Sequence, residues 1–135
     1  MLLRLADRPH QVVSAVAVLH GARLETVVAT TEVVFGEVDE RDARRYADSG
    51  EPLDKAGAYG IQGYAARWVR AIHGSYTNVV GLPLYETAEL LVRFGVHASR
   101  LAPGLAPVGT LRIGARQDIA ESAQGFDPDA SRLAS

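Results

Sequence analysis

The sequence predicts an α/β chain, strands with flanking helices, and three observations carry that reading. Two apolar, β-branched runs, 11–19 and 24–35, stand back to back around a glycine turn. Stretches with helical spacing and recognisable caps follow them. The periodicity then fades over the last 39 residues, His97 to Ser135.

Gln11 to Leu19 reads QVVSAVAVL, apolar at both parities, which suits a strand covered on two sides. His20-Gly21-Ala22-Arg23 makes a plausible turn, with the glycine free to take positive φ. Leu24 to Phe35 returns as the second strand of an antiparallel hairpin. Val27, Ala29, Thr31, Val33 and Phe35 are assigned to one face and Glu25, Thr30 and Glu32 to the other.

Asp39 opens a helix as its N-cap, with Asp42 three residues later in a capping-box-like place. Glu40 and Asp42 suit the positive end of the helix dipole. Ala43, Tyr46 and Ala47 give a narrow buried stripe, and Ser49-Gly50-Glu51-Pro52 ends the helix. Ala65, Val69 and Ile72 recur at helical spacing, so a further helix is expected over 63–72. Asn78 to Leu82 (NVVGL) reads as a short buried strand. Pro83 then suits the start of a helix. Its apolar residues are Leu84, Ala88, Leu91 and Val92, and Gly95 lies where a C-terminal cap belongs. From His97 onward fifteen of the 39 residues are Gly, Ala or Pro, and four basic residues balance four acidic ones. Apart from a weak strand at VGTLRIG, residues 97–135 are expected to form a disordered tail.

Composition narrows the function. A chain of 135 residues with 47% hydrophobic and 22% charged residues is one ordinary globular domain. Its formal charge of −2 offers no footprint for nucleic acid or an anionic membrane. The absence of cysteine excludes disulfides, thiolate metal sites and a cysteine nucleophile. No stretch approaches the ~18 apolar residues of a membrane span, and Arg4, Asp7 and Arg8 interrupt the apolar core that a signal peptide would need. A soluble, cytoplasmic protein is expected.

The four histidines, His10, His20, His73 and His97, have no HxxxH or HExxH spacing, so a metal site made from them alone is not expected. One segment is unusual. SGEPLDKAGAYGIQG places Ser49, Glu51, Asp54, Lys55, Tyr59 and Gln62 among Gly57, Gly60 and Gly63, which let a ligand approach the backbone. Amides at the start of a helix after Gly63 would favour phosphate, and Lys55 would add a point charge. Gln62 offers one acceptor and two donors to the edge of a base. A glycine-rich connector with ordinary surface residues would have the same composition, and chemistry alone leaves both readings open.

SGEPLDKAGAYGIQG (49–63), followed by IHGSYTNVVGLPLYETAELLVRFG (72–95), resembles the C-terminal part of the Maf family almost residue for residue. RPHQVVSAVAV (8–18) is similar to that family's SGR-x-H-x-V segment, with Ala6-Asp7 in place of Ser-Gly. The resemblance covers roughly residues 1–96. It implies an α/β fold with an elongated mixed sheet in two lobes, of which this chain would supply one lobe and a wall of the nucleotide cleft. It implies pyrophosphatase chemistry, a nucleoside triphosphate cleaved to the monophosphate and pyrophosphate, with Mg²⁺ or a similar divalent ion. The DKAGAYGIQG version is typical of the branch acting on dTTP and UTP. Gln62 then becomes the residue for substrate specificity, and Lys55 and Ser49 weaker substrate-binding candidates. Tyr59 and Tyr76 are assigned to packing, and Glu86 to a helix surface or interface. The resemblance leaves a homodimer open and implies neither nucleic acid nor membrane as a partner.

Two family motifs do not occur in this sequence: S-x-S-P-R-R, which grips phosphates, and G-A-D-T-V-V, whose aspartate is the catalytic base. Asp7, Asp39 and Asp48 stand in other contexts, so no catalytic residue and no metal ligand is assigned. The family's N-terminal half is therefore expected to be missing, and the 135 residues alone to be inactive. The alternative to a pyrophosphatase is a non-catalytic remnant, nucleotide-binding or linked to cell division.

Overall fold

The computed structural model describes residues 1–53, 59–96 and 111–121 of the chain. A short helix, α1 (Leu2–Leu5), leads into the hairpin of β1 (Pro9–His20) and β2 (Arg23–Phe35). The turn is as the sequence predicts: His20 pairs with Arg23 across Gly21-Ala22, and Gly21 takes φ +61°. Then come α2 (Glu40–Asp48), a 3₁₀ helix (Tyr64–Trp68), β3 (Val69–His73), α3 (Tyr76–Val80), α4 (Leu84–Arg93) and β4 (Arg112–Glu121). The sheet order is β3-β2-β1-β4. The α/β class stands, and every described pairing in the sheet is antiparallel.

One face of the hairpin is covered. Val12, Val16 and Val18 of β1 are buried with Ala29, Thr31, Val33 and Phe35 of β2. Two clusters form on that face. The larger joins Leu5, Val33, Phe35, Tyr46, Tyr59 and Trp68, and the smaller sets Leu90 and Phe94 of α4 on Val16 and Val18. The opposite face is open over most of its length among the described residues, with Leu24 61% and Val28 63% exposed, and is closed at Val34, which is buried. A strand covered on both sides is therefore not what the described chain provides. Glu25 also belongs with Val27, since a strand's period is two. It pairs with Arg23 at 2.6 Å and with Arg93 of α4 at 4.0 Å.

Asp39 caps α2 as expected, accepting from the amides of Arg41 and Asp42 at 2.9 and 3.2 Å. The carboxylate of Asp42 pairs with Arg67 instead, 3.2 Å away, and Ala47 is exposed, so only Ala43 and Tyr46 form the buried stripe.

Three expectations are corrected. Residues 63–72 are not one helix: a five-residue 3₁₀ turn ends at Trp68, and β-branched Val69 and Ile72 extend the sheet beside β2, with Ile72 opposite Val33. Asn78–Leu82 is not a strand. Ser75 accepts the amide of Asn78 at 3.1 Å and starts α3, which Gly81 ends at φ +144°. The tail is not wholly disordered beyond the weak strand expected at 108–114: residues 112–121 form β4, which shares residues 112–114 with that expectation and pairs with β1 from His10↔Glu121 to Leu19↔Arg112. The rest of 97–135, apart from Leu111, lies outside the described residues.

Helix α4 begins after Pro83 and ends as predicted. Gly95 at φ +80° donates to the carbonyl of Val92, and Val96 donates to that of Leu91, the two bonds of a Schellman cap. Its buried face, however, is Thr87, Leu90 and Phe94; of the expected set only Leu91 packs, half-buried, on the smaller cluster, while Leu84, Ala88 and Val92 are exposed.

Candidate functional site

The segment singled out by sequence begins where α2 stops. Ser49 closes that helix, its hydroxyl donating to the carbonyl of Tyr46 at 2.6 Å and accepting the amide of Glu51 at 3.3 Å. Its oxygen thus has a local structural task. Lys55 and Asp54 lie outside the described residues. The chain is described again from Tyr59.

Tyr46 ties the two ends of the segment together. Its hydroxyl oxygen accepts the amide of Gly60 at 3.0 Å and donates to the carboxylate of Glu51. Burial raises the pKa of Tyr46 and the charge of Glu51 raises it further, against the amide of Gly60, which lowers it. The phenol therefore stays protonated and keeps its donor. Glu51 lies against Gly63, where a Cβ would fall on the carboxylate. The ring of Tyr46 stacks on Tyr64 at 6.0 Å and meets Trp68 edge-on at 5.4 Å.

Gln62 stands on the turn that this tie holds. The amide of Gly63 bonds to the carbonyl of Gly60 at 3.1 Å, which closes a β-turn with Gln62 at its third position. Gln62 is exposed and its side chain makes no hydrogen bond among the described residues. A cleft of about 340 Å³ is lined by Arg45, Tyr46, Ser49, Glu51 and Tyr64. That volume is near the lower bound for small-molecule sites. Ser49 therefore lines the cleft, whereas Gln62 is not among its lining residues and stands two positions before Tyr64, which is. The 3₁₀ helix after Gly63 has five residues, too short to supply the phosphate-binding helix start that the sequence suggested.

Tyr59 is buried, as its packing assignment requires, and its hydroxyl lies 2.6 Å from Nε2 of His10. Phe35 meets both rings edge-on at 4.9 and 4.8 Å. Burial pushes the His10 pKa down to about 4 and raises that of Tyr59, so His10 is a neutral, weakly basic ring enclosed in the core. Tyr76 is half exposed, against its packing assignment. Glu86 is half-buried at the start of α4, with Oε2 enclosed and without a hydrogen-bond partner among the described residues.

Sequence reasoning did not identify Asn78. Its amide nitrogen reaches the carbonyls of Val12 and Ala29 at 3.0 and 3.3 Å and Oγ1 of Thr31 at 2.9 Å, tying α3 to the middle of the hairpin. Ser75 three residues earlier, a capping residue before Asn78, was the available local signal.

Among the described residues no group of three His, Asp or Glu side chains converges as a cation's ligands must. The residues described do not fit a divalent metal centre. No helix among the described residues is long and apolar enough to cross a membrane.

A family model described as "Maf-like protein" matches residues 1–94. A dTTP/UTP pyrophosphatase of Vibrio vulnificus is 52% identical over 94 residues, 70% of this chain and 50% of that protein. Proteins of the same name from Dechloromonas aromatica and Bordetella pertussis are 50% and 51% identical over 95 and 96 residues, which cover 47% and 46% of their lengths. The chain thus spans about half the length of the curated relatives it matches.

Proposed function

The chain belongs to the Maf-like protein family, and from that premise we propose that it carries the base-reading wall of a nucleoside triphosphate pyrophosphatase acting on dTTP and UTP. The observation that supports this most is the exposed amide of Gln62, without a hydrogen bond among the described residues, on a turn held by Tyr46 inside the segment 49–63. A uracil or thymine ring presents an N–H donor beside a carbonyl acceptor, and a carboxamide offers the complementary pair. The aromatic ring of Tyr64 and the cation of Arg45 in the cleft suit a planar ring and a phosphate oxygen.

The reaction breaks the bond between the α-phosphorus and its bridging oxygen, water supplying the new P–O bond and pyrophosphate leaving. Gln62 and its supports orient the base in that reaction. They do not activate water. The groups that would do so belong to motifs this sequence does not contain. Binding that does not favour the transition state leaves the barrier where it was. The non-catalytic reading is favoured for these 135 residues by that same absence. The setting we propose is the cytoplasm.

The test is to purify the chain, supply Mg²⁺ with dTTP or UTP, and follow pyrophosphate release beside the Vibrio vulnificus relative. Binding of both nucleotides in preference to GTP, with negligible turnover, is the expected result. Turnover within tenfold of the relative would mean that a residue here replaces the catalytic base. Equal binding of all three nucleotides would remove the base-reading role.

A further inference from the structure

β4 is the one described element that lies beyond the family match, which ends at residue 94. It runs along β1 for ten residues, Arg112 opposite Leu19 and Glu121 opposite His10. β1 is thereby an interior strand, flanked by β2 on one side and β4 on the other.

Without β4 the same strand would be an edge. From Gln11 to Leu19 it carries no charge, no proline and no glycine, only Val, Ala, Leu, Ser and Gln. A long, uncharged, β-branched edge presents unpaired amides and carbonyls to any other strand. β4 has the opposite character. Arg112, Arg116, Asp118 and Glu121 charge it, Gly114 weakens its own strand propensity, and nearly all of it is exposed. Those are the marks of a protective edge.

Its side chains secure it beyond the ladder. Nε2 of Gln117 donates to the carbonyls of Asn78 and Val79 in α3 at 2.6 and 3.3 Å. Arg4 pairs with Glu121 at 3.1 Å. Ile119 packs on the larger apolar cluster and Leu111 on the smaller.

We propose that the outer edge of β1 is a strand-docking site, and that this chain occupies it with its own segment Arg112–Glu121, brought from outside the Maf-like region. β4 shields the family domain from strand addition by other chains. When β4 is withdrawn, copies of the chain associate through β1, whose uncharged sequence pairs with itself without like-charge repulsion.

The test uses the full chain. Amides in an edge strand alternate between partner and solvent, so prolines at two adjacent positions remove a ladder bond in either phase. The variant Ala115→Pro/Arg116→Pro is expected to raise the mass by light scattering above that of the unmodified chain. Alternate amides of residues 10–19 should exchange at least tenfold faster, while those bonded to β2 keep their protection. A synthetic peptide of residues 111–121 added to the variant should reverse both changes. Unchanged mass together with unchanged β1 exchange would overturn the proposal. If the variant loses protection in β2 and β3 as well, the peptide decides: restored protection supports docking, and no restoration overturns it. In the unmodified chain, amides within 112–121 that exchange at the unstructured rate would overturn it independently.

Discussion

Two amide side chains, Asn78 and Gln62, have the same chemistry and opposite placement. Asn78 is fully enclosed, and its nitrogen spends its two hydrogens on three acceptors of β1 and β2. Gln62 is exposed on a turn whose neighbours are all tied down, and its own amide is tied to nothing described. An enclosed amide fixes the fold because leaving its partners unpaired is costly. An exposed amide on a fixed backbone adds little to stability and keeps its full hydrogen-bonding capacity for a ligand. The comparison predicts a gradient: stability should suffer most at Asn78 and least at Gln62.

The largest effect is expected for Asn78→Ala. It removes the donor from two carbonyls and Thr31 and opens space beneath α3. Losses of this kind amount to about 2–4 kcal/mol, a drop of ~10–20 °C in Tm for a structured region of this size. Thermal and urea unfolding measure it, and a loss under ~1 kcal/mol would mean that Asn78 does not hold the hairpin.

His10 comes next. Its pKa is lowered from 6.5 to about 4 by burial, so the folded chain keeps the ring neutral while the unfolded chain protonates it. The stabilisation is complete above pH ~6.5 and is lost as pH falls toward ~4, with a ceiling of about 3 kcal/mol. Urea midpoints between pH 7.5 and pH 4, compared with those of His10→Gln, isolate the contribution. Parallel pH profiles for the two proteins would show that His10 titrates normally.

Gly63→Ala tests the support of the turn. The added Cβ displaces the carboxylate of Glu51, and Tyr46 loses that acceptor. The backbone there is extended, so the expected cost is about 1 kcal/mol, read from unfolding. Nucleotide selectivity should decline with it, because Gln62 rides on the loosened turn. Unaltered selectivity would separate the tie from the site.

The parts legible in sequence were those that neighbours in the chain decide. The hairpin followed from QVVSAVAVL, a glycine turn and a second β-branched run, and α2 from the carboxylate of Asp39. The ends of α4 were legible from Pro83 and Gly95. Its buried face was not, because a second apolar set, Leu84, Ala88 and Val92, competes with Thr87, Leu90 and Phe94, and only packing against Val16 and Val18 selects between them. Val69 and Ile72 fit a helix by spacing and became a strand because the edge of β2 was available to them. β4 was legible only at its start, where the weak strand expected at VGTLRIG (108–114) overlaps it; the rest has little strand preference until β1 offers a ladder. Segment 49–63 was recognisable from its motif. The tie through Tyr46 was not, since it joins residues fourteen positions apart and depends on where α2 ends.

Gln62→Ala is the smallest perturbation to the fold and the most informative about the site. An exposed side chain without a hydrogen bond among the described residues should change unfolding free energy by less than ~0.5 kcal/mol. The same substitution should cost about 1–3 kcal/mol in discrimination among dTTP, UTP and GTP, a factor of roughly 5–150 in relative affinity. The 135-residue chain reports this through binding. The matching glutamine of a full-length relative reports it through relative kcat/KM, with kcat for the preferred nucleotide little changed, since orienting a base is separate from activating water. A fall in stability comparable to that of Asn78→Ala would make Gln62 a structural amide after all. Unchanged relative affinities would leave the cleft lined by Arg45, Glu51 and Tyr64 as the place to look for the contacts that read the base.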